Sequence, residues 1–322
     1  MQLYDVIIIG AGPAGLSAAI YAVRKSLRTL VVTKDIGGQA ALSNDIENYL
    51  GFSLVKGIQL TEKFREHLEH FKEDLTLEEG VEVTSIERYP LQDQPGFLVK
   101  TNDSKKFVGR TLLIASGRTP RMLNVPGEKE FLGKGVANCA TCDAPFYKDK
   151  EVAIVGGGNS ALDAAIPLLK VAKCVNILNL TDKMTGDPVM LKQAEEASCV
   201  KIYNNAQTTK ILGESQVTGI EFLDTKTNQT QTLPVMGVFI EVGWVPNSPF
   251  DKLTEKDARG QIKVDPNLHT SVPGIWAAGD INDMWGEQII IATGEGAKAA
   301  LSINNYLSKL PPISANNISL PD

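Results

Sequence analysis

The run Val6-Ile7-Ile8-Ile9 leads directly into the glycine-rich turn Gly10-Ala11-Gly12-Pro13-Ala14-Gly15. A short β-branched run of this kind is typical of a strand buried on both faces of a parallel sheet. The Ala-rich segment after the turn predicts a helix, and residues 29–33 predict the next strand. In this context the first Gly makes the tight turn, the second lets backbone N–H groups approach a pyrophosphate, and the third lets helix and strand pack closely. We therefore predict a dinucleotide-binding turn, with a glycine turn that binds no ligand as the alternative.

The same pattern recurs in the middle of the chain. Residues 151–155 predict a buried strand, which runs into Gly156-Gly157-Gly158-Asn159-Ser160-Ala161 and a second Ala-rich helix. Ala161 stands at the third glycine position, a variant that the dinucleotide pattern allows. Two such units indicate either two dinucleotide sites or one flavin site and one vestigial site. Because no side chain accepts a hydride, a cofactor such as flavin is needed to link nicotinamide chemistry to a disulfide.

Length and composition exclude several classes of protein. The 322 residues suffice for two domains, and 43% hydrophobic with 22% charged residues is ordinary for a globular chain. Lys and Arg number 32 against 38 Asp and Glu, a net charge of −6, so no basic excess is present to bind a nucleic acid. No apolar run approaches the roughly 18 residues of a membrane span. The N-terminus lacks a secretory signal pattern, so we expect a cytoplasmic protein without nucleic-acid or membrane partners.

Four cysteines point to redox chemistry. Cys139 and Cys142 form a CxxC pair, whereas Cys174 and Cys199 stand alone in the sequence. A lone CxxC in a cytosolic protein is more often a redox dithiol than a structural staple. A zinc site would need a second pair or nearby histidines, and the chain has three histidines, none close to the CxxC in sequence. We predict a redox dithiol and no metal site, with zinc or coincidence as alternatives, and core or surface roles for the two isolated cysteines.

A third strand–turn signal lies near the C-terminus. Residues 272–278 predict a buried strand that ends at Gly279-Asp280, and an Ala-rich helix follows. A carboxylate in this position can hold a ligand hydroxyl, although a solvated turn is the alternative. The late strand can complete the first sheet, which makes the second glycine unit an insertion. We predict an α/β fold of two Rossmann-like, three-layer dinucleotide-binding domains. Residues 1–117 and 246–322 form the first domain, and residues 118–245 form an inserted domain that carries the CxxC.

These motifs together resemble the low-molecular-weight thioredoxin reductase family, the class II pyridine nucleotide-disulfide oxidoreductases. The segments that carry the resemblance run in the same order through nearly the whole chain: Gly10 to Gly15, Gly37-Gly38-Gln39, residues 45–49, Cys139 to Asp143, Gly156 to Ala161 and Ala278-Gly279-Asp280. Within that family, residues 205–208 and 288–299 resemble the flavoprotein component of alkyl hydroperoxide reductase most closely. That component has an additional N-terminal dithiol domain, which we expect this chain to lack because its flavin turn starts at residue 10.

The resemblance implies a homodimer with non-covalent FAD that reduces a thioredoxin- or glutaredoxin-like dithiol protein. It also implies that residues 1–117 and 246–322 form the FAD-binding domain and that residues 118–245 form the NAD(P)-binding-like domain. Its implied FAD contacts come from both chain ends: Gly10, Gly12, Pro13, Ala14, Gly15, Gly38, Gln39, Asn48, Ala115, Gly117, Gly279, Asp280, Gln288 and Ile289. Its implied nicotinamide nucleotide contacts are Gly156, Gly158, Asn159 and Ser160. In the catalytic set, Cys142 would face the flavin, Cys139 would exchange with the partner disulfide, and Asp143 would donate a proton. A thiolate is the attacking species in such an exchange, and a helix start favours it.

Departures from the family leave the electron donor open. Members that use NADPH carry arginines after the last strand of the nicotinamide unit, and residues 178–186 contain none. NADH-using relatives have an acidic residue where Asn179 stands. NADPH is therefore disfavoured as donor, and NADH, ferredoxin and another flavin are alternatives. Further functional alternatives are an NADH-dependent reductase of a peroxiredoxin system, a dithiol oxidase and a non-catalytic redox sensor.

Three further positions bear on the flavin site and on partner contacts. Ala144 replaces the usual Gly after the Cys-Asp pair, and Glu287 replaces a basic residue before Gln288. Trp285 could stack on the flavin ring, but its bulk favours a place in the core.

Overall fold

The computed structural model describes residues 2–43, 45–91, 94–197, 199–311 and 313. The strands, in chain order, are β1 Leu3–Ala11, β2 Thr29–Ile36, β3 Asp45–Ile46, β4 Val55–Lys56, β5 Leu75–Glu79, β6 Val83–Leu91, β7 Gln94–Thr101, β8 Lys106–Ile114, β9 Arg118–Pro120, β10 Val136–Ala137, β11 Glu151–Val155, β12 Cys174–Asn179, β13 Val200–Asn204, β14 Ala206–Gly213, β15 Val217–Asp224, β16 Gln229–Leu233, β17 Gly237–Ile240, β18 Trp244–Pro246 and β19 Ile275–Ala277. The α-helices are α1 Pro13–Val23, α2 Gly57–Glu69, α3 Ala140–Asp143, α4 Asn159–Leu169, α5 Pro188–Glu195 and α6 Ile289–Leu307, with 3-10 turns at Gly38–Leu42 and Ala144–Tyr147.

The chain forms two compact units. Unit 1 contains the described residues of 1–43, 49–119 and 245–322, and unit 2 contains those of 44–48 and 120–244. The breaks after residues 119 and 244 lie within two residues of the predicted domain boundaries, and the described residues 45–48 group with unit 2. The binding of FAD by unit 1 and of a nicotinamide nucleotide by unit 2 stays a prediction.

Unit 1 is built on a seven-stranded sheet in the order β5-β2-β1-β8-β7-β6, with β19 also paired to β8. The strands that meet at the glycine turn are parallel: Ile7 of β1 lies opposite Leu30 of β2 and Leu112 of β8. Strands β6 and β7 extend the sheet in antiparallel fashion. Every residue of β1 except Gly10 is buried, as expected of a central parallel strand. The carboxyl ends of β1, β2, β8 and β19 therefore meet at one edge, where ligands bind in such folds.

Unit 2 repeats this architecture with a smaller sheet. Five parallel strands run in the order β10-β17-β11-β12-β13, and β14, β15 and β16 form a separate antiparallel sheet. Apolar residues of α4 pack against β11 and β12 in a core of their own. The predicted α/β fold with two Rossmann-like domains, one inserted in the other, is confirmed. Among the described residues, no helix is both long and apolar enough to cross a bilayer.

Cys174 and Cys199 form a disulfide, so the expectation of two isolated cysteines is wrong. Their Cα atoms are 4.9 Å apart although 25 residues separate them in sequence. The reason lies in the register of two neighbouring parallel strands, since Val175 of β12 pairs with Val200 of β13. The residues just before this pair are therefore neighbours as well. The disulfide lies at the amino ends of the strands, opposite to the edge where the glycine turn of unit 2 lies.

We expect Cys174→Ser with Cys199→Ser to lower the stability of unit 2 and to leave its fold intact. Closing a 25-residue loop is worth about 3.5 kcal/mol in the chain-entropy account of disulfides. Urea unfolding without reductant, followed by tryptophan fluorescence and circular dichroism, measures the difference. Addition of reductant should lower the stability of the parent protein and not that of the double variant. Equal stability of the two proteins under oxidising conditions would contradict the prediction.

Candidate flavin and disulfide sites

The first glycine turn leaves its amide groups accessible at the edge of the sheet. Gly10 has φ +103°, and a Cβ on it would lie 2.5 Å from the carbonyl oxygen of Ala115. A Cβ on Gly15 would lie 1.9 Å from the carbonyl oxygen of Gly10, which confines helix α1 to direct contact with β1. Gly12 differs from both, because among the described residues a Cβ there would meet no atom within 4 Å. The opening over Gly12, at the start of α1, is where an anion would find backbone donors.

A second turn, from Gly37 to Gln39, lies over the first. The N–H of Gly37 donates to the carbonyl oxygen of Ala11 at 2.8 Å. Gly38 has φ +53°, and a Cβ there would come within 3.5 Å of the Cα of Gly12. The predicted residues Gly12 and Gly38 are thus neighbours, and Gln39 is exposed beside them.

The wall opposite is formed by the turn after β19. Gly279 has φ +77°, and a Cβ there would lie 3.0 Å from the Cβ of Ala14 in the first turn of α1. The carboxyl of Asp280 is next in the chain, and burial raises its pKa, while Arg118 opposes that rise and Glu287 adds to it. Gln288 is the N-cap of α6 and Ile289 its first residue. The turn and the start of α6 therefore face the same crevice as the start of α1.

Glu295 is a residue of this crevice that the sequence reasoning missed. It accepts hydrogen bonds from the N–H of Gly279 at 2.7 Å and from Nδ2 of Asn282 at 2.8 Å. Burial raises its pKa above the ordinary value for a glutamate. Through these two hydrogen bonds, Glu295 fixes the backbone of the Gly279-Asp280 turn. The available signal was an acidic residue between two glycines near the start of an Ala-rich helix.

The loop after β8 is held by a reciprocal pair of hydrogen bonds. Ala115 continues the ladder with an N–H bond to Ile9, and Gly117 follows with φ +63°. Ser116 Oγ donates to the carbonyl oxygen of Asn247 at 2.7 Å, and Asn247 Nδ2 donates back to that of Ser116 at 2.9 Å. The two crossings between the units thus run side by side where they leave unit 1.

These features fit a dinucleotide bound across the edge of unit 1. Gly10, Gly12, Gly15, Gly38, Ala115 and Gly279 come together around one opening, and Asp280 offers a half-buried carboxyl on its far side. Asn48, predicted to lie along the flavin, groups with unit 2, and its contact with the flavin stays a prediction. Trp285 was expected in the core, and that expectation is wrong. Its side chain is 94% exposed, because the loop between Asn282 and Gln288 runs along the surface.

The glycine turn of unit 2 is partly occupied by its own chain. Gly158 is open, as Gly12 is in unit 1. The N–H of Thr185 donates to the carbonyl oxygen of Gly157 at 2.8 Å, and the N–H of Asp187 donates to Oδ1 of Asn159 at 2.7 Å. The loop after β12 is therefore fastened onto the turn, and one of the predicted nucleotide contacts, Asn159, holds that loop.

Asn179 is buried and fully engaged in hydrogen bonds within unit 2. Its Nδ2 donates to the carbonyl oxygen of Thr181 at 2.9 Å and to Oδ1 of Asn204 at 2.8 Å. Its Oδ1 accepts from the hydroxyl of Thr181 at 3.1 Å, and a Cβ on Gly157 would overlap it. Only 2% of Asn179 is exposed, so a ribose hydroxyl could reach its amide only by displacing these partners.

Cys139 and Cys142 form a disulfide at the start of helix α3, with Cα atoms 5.3 Å apart. Cys139 is the N-cap, and its sulfur accepts a hydrogen bond from the N–H of Cys142 at 3.3 Å. An N–H directed at Cys139 Sγ would stabilise a thiolate there after reduction.

Asp143 ends α3 and lies near Tyr147 in the following 3-10 turn. Burial, with a smaller contribution from the charge of Asp143, raises the pKa of Tyr147 to about 12. The tyrosine therefore stays protonated at neutral pH. Ala144 is buried with φ −50°, a helical conformation that suits alanine, so the absence of glycine strains nothing here.

Comparison with known proteins agrees with this geometry. The family model described as pyridine nucleotide-disulphide oxidoreductase matches residues 4–296. The alkyl hydroperoxide reductase F subunit of Staphylococcus aureus (strain MRSA252) is 38% identical over 305 residues, 94% of this chain and 59% of that protein. The NADH dehydrogenase of Bacillus subtilis (strain 168) is 37% identical over 306 residues, 94% of this chain and 58% of that protein. The chain thus spans less than two thirds of the length of these two relatives.

Solved structures match over nearly their whole length. Thioredoxin reductase from Streptococcus pyogenes has a TM-score of 0.88 and 34% identity, with 96% of this chain and 99% of that chain covered. Thioredoxin reductase from Giardia duodenalis has a TM-score of 0.87 and 33% identity, with 96% and 100% covered. On the family match and these similarities, the chain belongs to the pyridine nucleotide-disulphide oxidoreductase family.

Proposed function

We propose that this chain is a thioredoxin reductase-like flavoenzyme that passes electrons through FAD to Cys139 and Cys142, and from them to a disulfide of a thioredoxin- or glutaredoxin-type protein. The observation that carries the proposal is the Cys139–Cys142 disulfide at a helix start. The open glycine turn of unit 1 and the thioredoxin reductases among the similar structures support it.

In this proposal the crevice of unit 1 holds FAD. The amides around Gly12 would bind its pyrophosphate, and Asp280 would accept a hydrogen bond from its ribityl chain. Gln288 and Ile289 would lie beside the ring at the start of α6. When bound, FAD accepts two electrons from a donor and delivers them to a disulfide.

The dithiol then reduces the partner by two exchanges. The Cys139 thiolate attacks one sulfur of the partner disulfide, which forms a mixed disulfide and releases the second partner sulfur as a thiolate. Asp143 gives that leaving thiolate a proton. Cys142 gives its proton back to the Asp143 carboxylate and, as a thiolate, attacks Cys139 Sγ. This attack re-forms the Cys139–Cys142 bond and expels the other partner sulfur as a thiolate, which takes the second proton from water. The partner gains two electrons and two protons, and the enzyme dithiol is oxidised to the disulfide.

We propose a donor other than NADPH. Residues 178–186 contain no arginine to bind a 2′-phosphate. The amide of Asn179 is occupied by Thr181 and Asn204, so it does not replace the acidic residue that would bind an adenine ribose. NADH is then the first candidate donor. A low-potential protein donor such as ferredoxin is the second, because it needs neither the arginines nor the acidic residue. NADH with a peroxiredoxin-system partner, in line with the name of the Staphylococcus aureus relative, and a dithiol oxidase remain the alternatives.

Two finer points of the proposal rest on the family alone. We propose that two copies of the chain form the active enzyme and that it works in the cytoplasm. A non-catalytic redox sensor is the competing class of protein. An acid beside the Cys139–Cys142 pair favours the enzyme, because a sensor does not need to protonate a leaving thiolate.

Gly12→Asp and Gly158→Asp form a matched pair that separates the two glycine turns. Both glycines are N-caps with negative φ, −73° and −101°, and both are open, so aspartate fits either site. In Gly12→Asp the new carboxylate occupies the anion site of unit 1, and we expect the protein to purify without FAD. Gly158→Asp should keep one FAD per chain and lose any reduction by a nicotinamide nucleotide. Flavin absorbance of the purified proteins measures the first result, and a Gly12→Asp protein with full flavin content would contradict the proposal.

Cys139→Ser and Cys142→Ser should each lower protein-disulfide reduction by at least about a hundredfold, since the thiolate is the nucleophile. Flavin binding should persist in both variants. Turnover with thioredoxin, with a chemical donor that reduces the flavin, isolates this step from the question of the physiological donor. The double variant Cys174→Ser with Cys199→Ser is the control and should turn over at the parent rate. Near-parent activity in either single variant would exclude the pair as the relay.

Anaerobic bleaching of the flavin by NADH, NADPH and reduced ferredoxin, each over a concentration series, identifies the donor. NADPH should reduce the flavin no better than NADH does. Each charge-assisted contact of an arginine with the 2′-phosphate is worth roughly 1.5–3 kcal/mol, and two such contacts are missing. Leu180→Arg, at a position that is 61% exposed beside Asn179, should improve NADPH more than NADH. Rapid bleaching of the parent protein by micromolar NADPH would refute the donor assignment. Bleaching by ferredoxin alone would establish the second candidate.

A further inference from the structure

Arg118 is held between two carboxylates at the edge of unit 1. Its Nη1 lies 2.7 Å from Oε1 of Glu287, and its Nε lies 3.8 Å from Oδ2 of Asp280. The arginine side chain is 13% exposed, against 39% for Glu287 and 30% for Asp280. The guanidinium is thus the most deeply placed charge of the three.

The topology of the sheet brings these residues together. Arg118 follows β8 and Asp280 follows β19, and the two strands are parallel neighbours, with Ala277 opposite Ile114. Their following loops therefore leave the sheet at the same edge. Glu287 reaches this point from the other side, one residue before the N-cap of α6.

Charge at this edge is arranged differently from that in the family. The resemblance places a basic residue at position 287, next to Gln288, whereas this chain has a glutamate there and an arginine facing it at the start of β9. Asp280 and Glu287 would repel each other without a cation between them, and the charge of Arg118 lowers the pKa of Asp280 against the effect of its burial. The cation at this edge therefore comes from Arg118, the first residue of β9.

We propose that Arg118 is a positioning residue of the flavin site. Its positive charge raises the two-electron reduction potential of bound FAD, and the negative charge of Glu287 lowers it. This inference rests on the FAD site proposed above. It assigns a role to two residues that take no part in the disulfide exchange.

The physical reason is the change of charge on the cofactor. Two-electron reduction with uptake of one proton adds one negative charge to the flavin. A fixed cation in the same partly buried crevice stabilises that charge, and a fixed carboxylate destabilises it. Removal of Arg118 should therefore favour the oxidised flavin, and removal of the Glu287 charge should favour the reduced flavin.

The test is the flavin midpoint potential of FAD-saturated protein, measured by anaerobic titration with a reference dye. We expect Arg118→Met to lower the potential and Glu287→Gln to raise it. A shift of about 30 mV in either direction corresponds to a tenfold change in the ratio of the affinities for reduced and oxidised FAD. Arg118→Lys keeps the positive charge, so its flavin midpoint potential should stay close to the parent value. This conservative variant also remains measurable if methionine at position 118 impairs folding.

A matched control is available in unit 1 at the ion pair of Arg65 with Glu79, which joins the side of α2 to the end of β5. Arg65→Met removes the same type of contact and should leave the potential unchanged. If Arg118→Met and Glu287→Gln shift the potential in the same direction, or not at all, the inference is wrong although the FAD site stands. Absence of FAD from the parent protein would instead overturn the proposed function itself.

Discussion

Direct contact of backbones at Gly15 and Gly296 is the constraint on which unit 1 depends. A Cβ on Gly15 would lie 1.9 Å from the carbonyl oxygen of Gly10, and one on Gly296 would lie 2.0 Å from that of Ala14. Helix α1 therefore packs onto β1, and α6 packs onto α1, more closely than any side chain allows. Because both helices start at the same edge of the sheet, this contact brings their amino ends together. The crevice that we assign to FAD is the space between them.

Unit 2 uses the same pattern with a looser contact. Ala161 stands where Gly15 stands in unit 1, and its Cβ would lie 3.3 Å from a Cβ on Gly156. The loop after β12 folds back onto this turn through Thr185 and Asp187. The second turn has thus kept the backbone conformation of a dinucleotide site, and part of its hydrogen-bonding capacity is used within the protein. This difference is the structural basis for proposing different affinities at two similar turns.

The sequence predicted the features that depend on local backbone requirements. Glycines at fixed spacing after β-branched runs led to both Rossmann-like units and to the insertion of one in the other. What it did not predict depends on contacts between distant segments. The Cys174–Cys199 pairing follows from strand register, and the support of Gly279 by Glu295 follows from packing of α6 on the sheet. The exposure of Trp285 contradicts an inference that used only the bulk of the side chain.

The second disulfide has a consequence for electron counting. Two disulfides and one flavin amount to six electron equivalents per chain, of which only four lie on the proposed route. Cys174 is 4% exposed and is placed at the sheet edge remote from the glycine turn of unit 2, so the redox chemistry of the site does not reach it directly. A reductive titration that ends at four equivalents is therefore complete for the catalytic centres. Uptake of a fifth and a sixth would report the opening of a structural bond, and a thiol count on the same sample would distinguish the two.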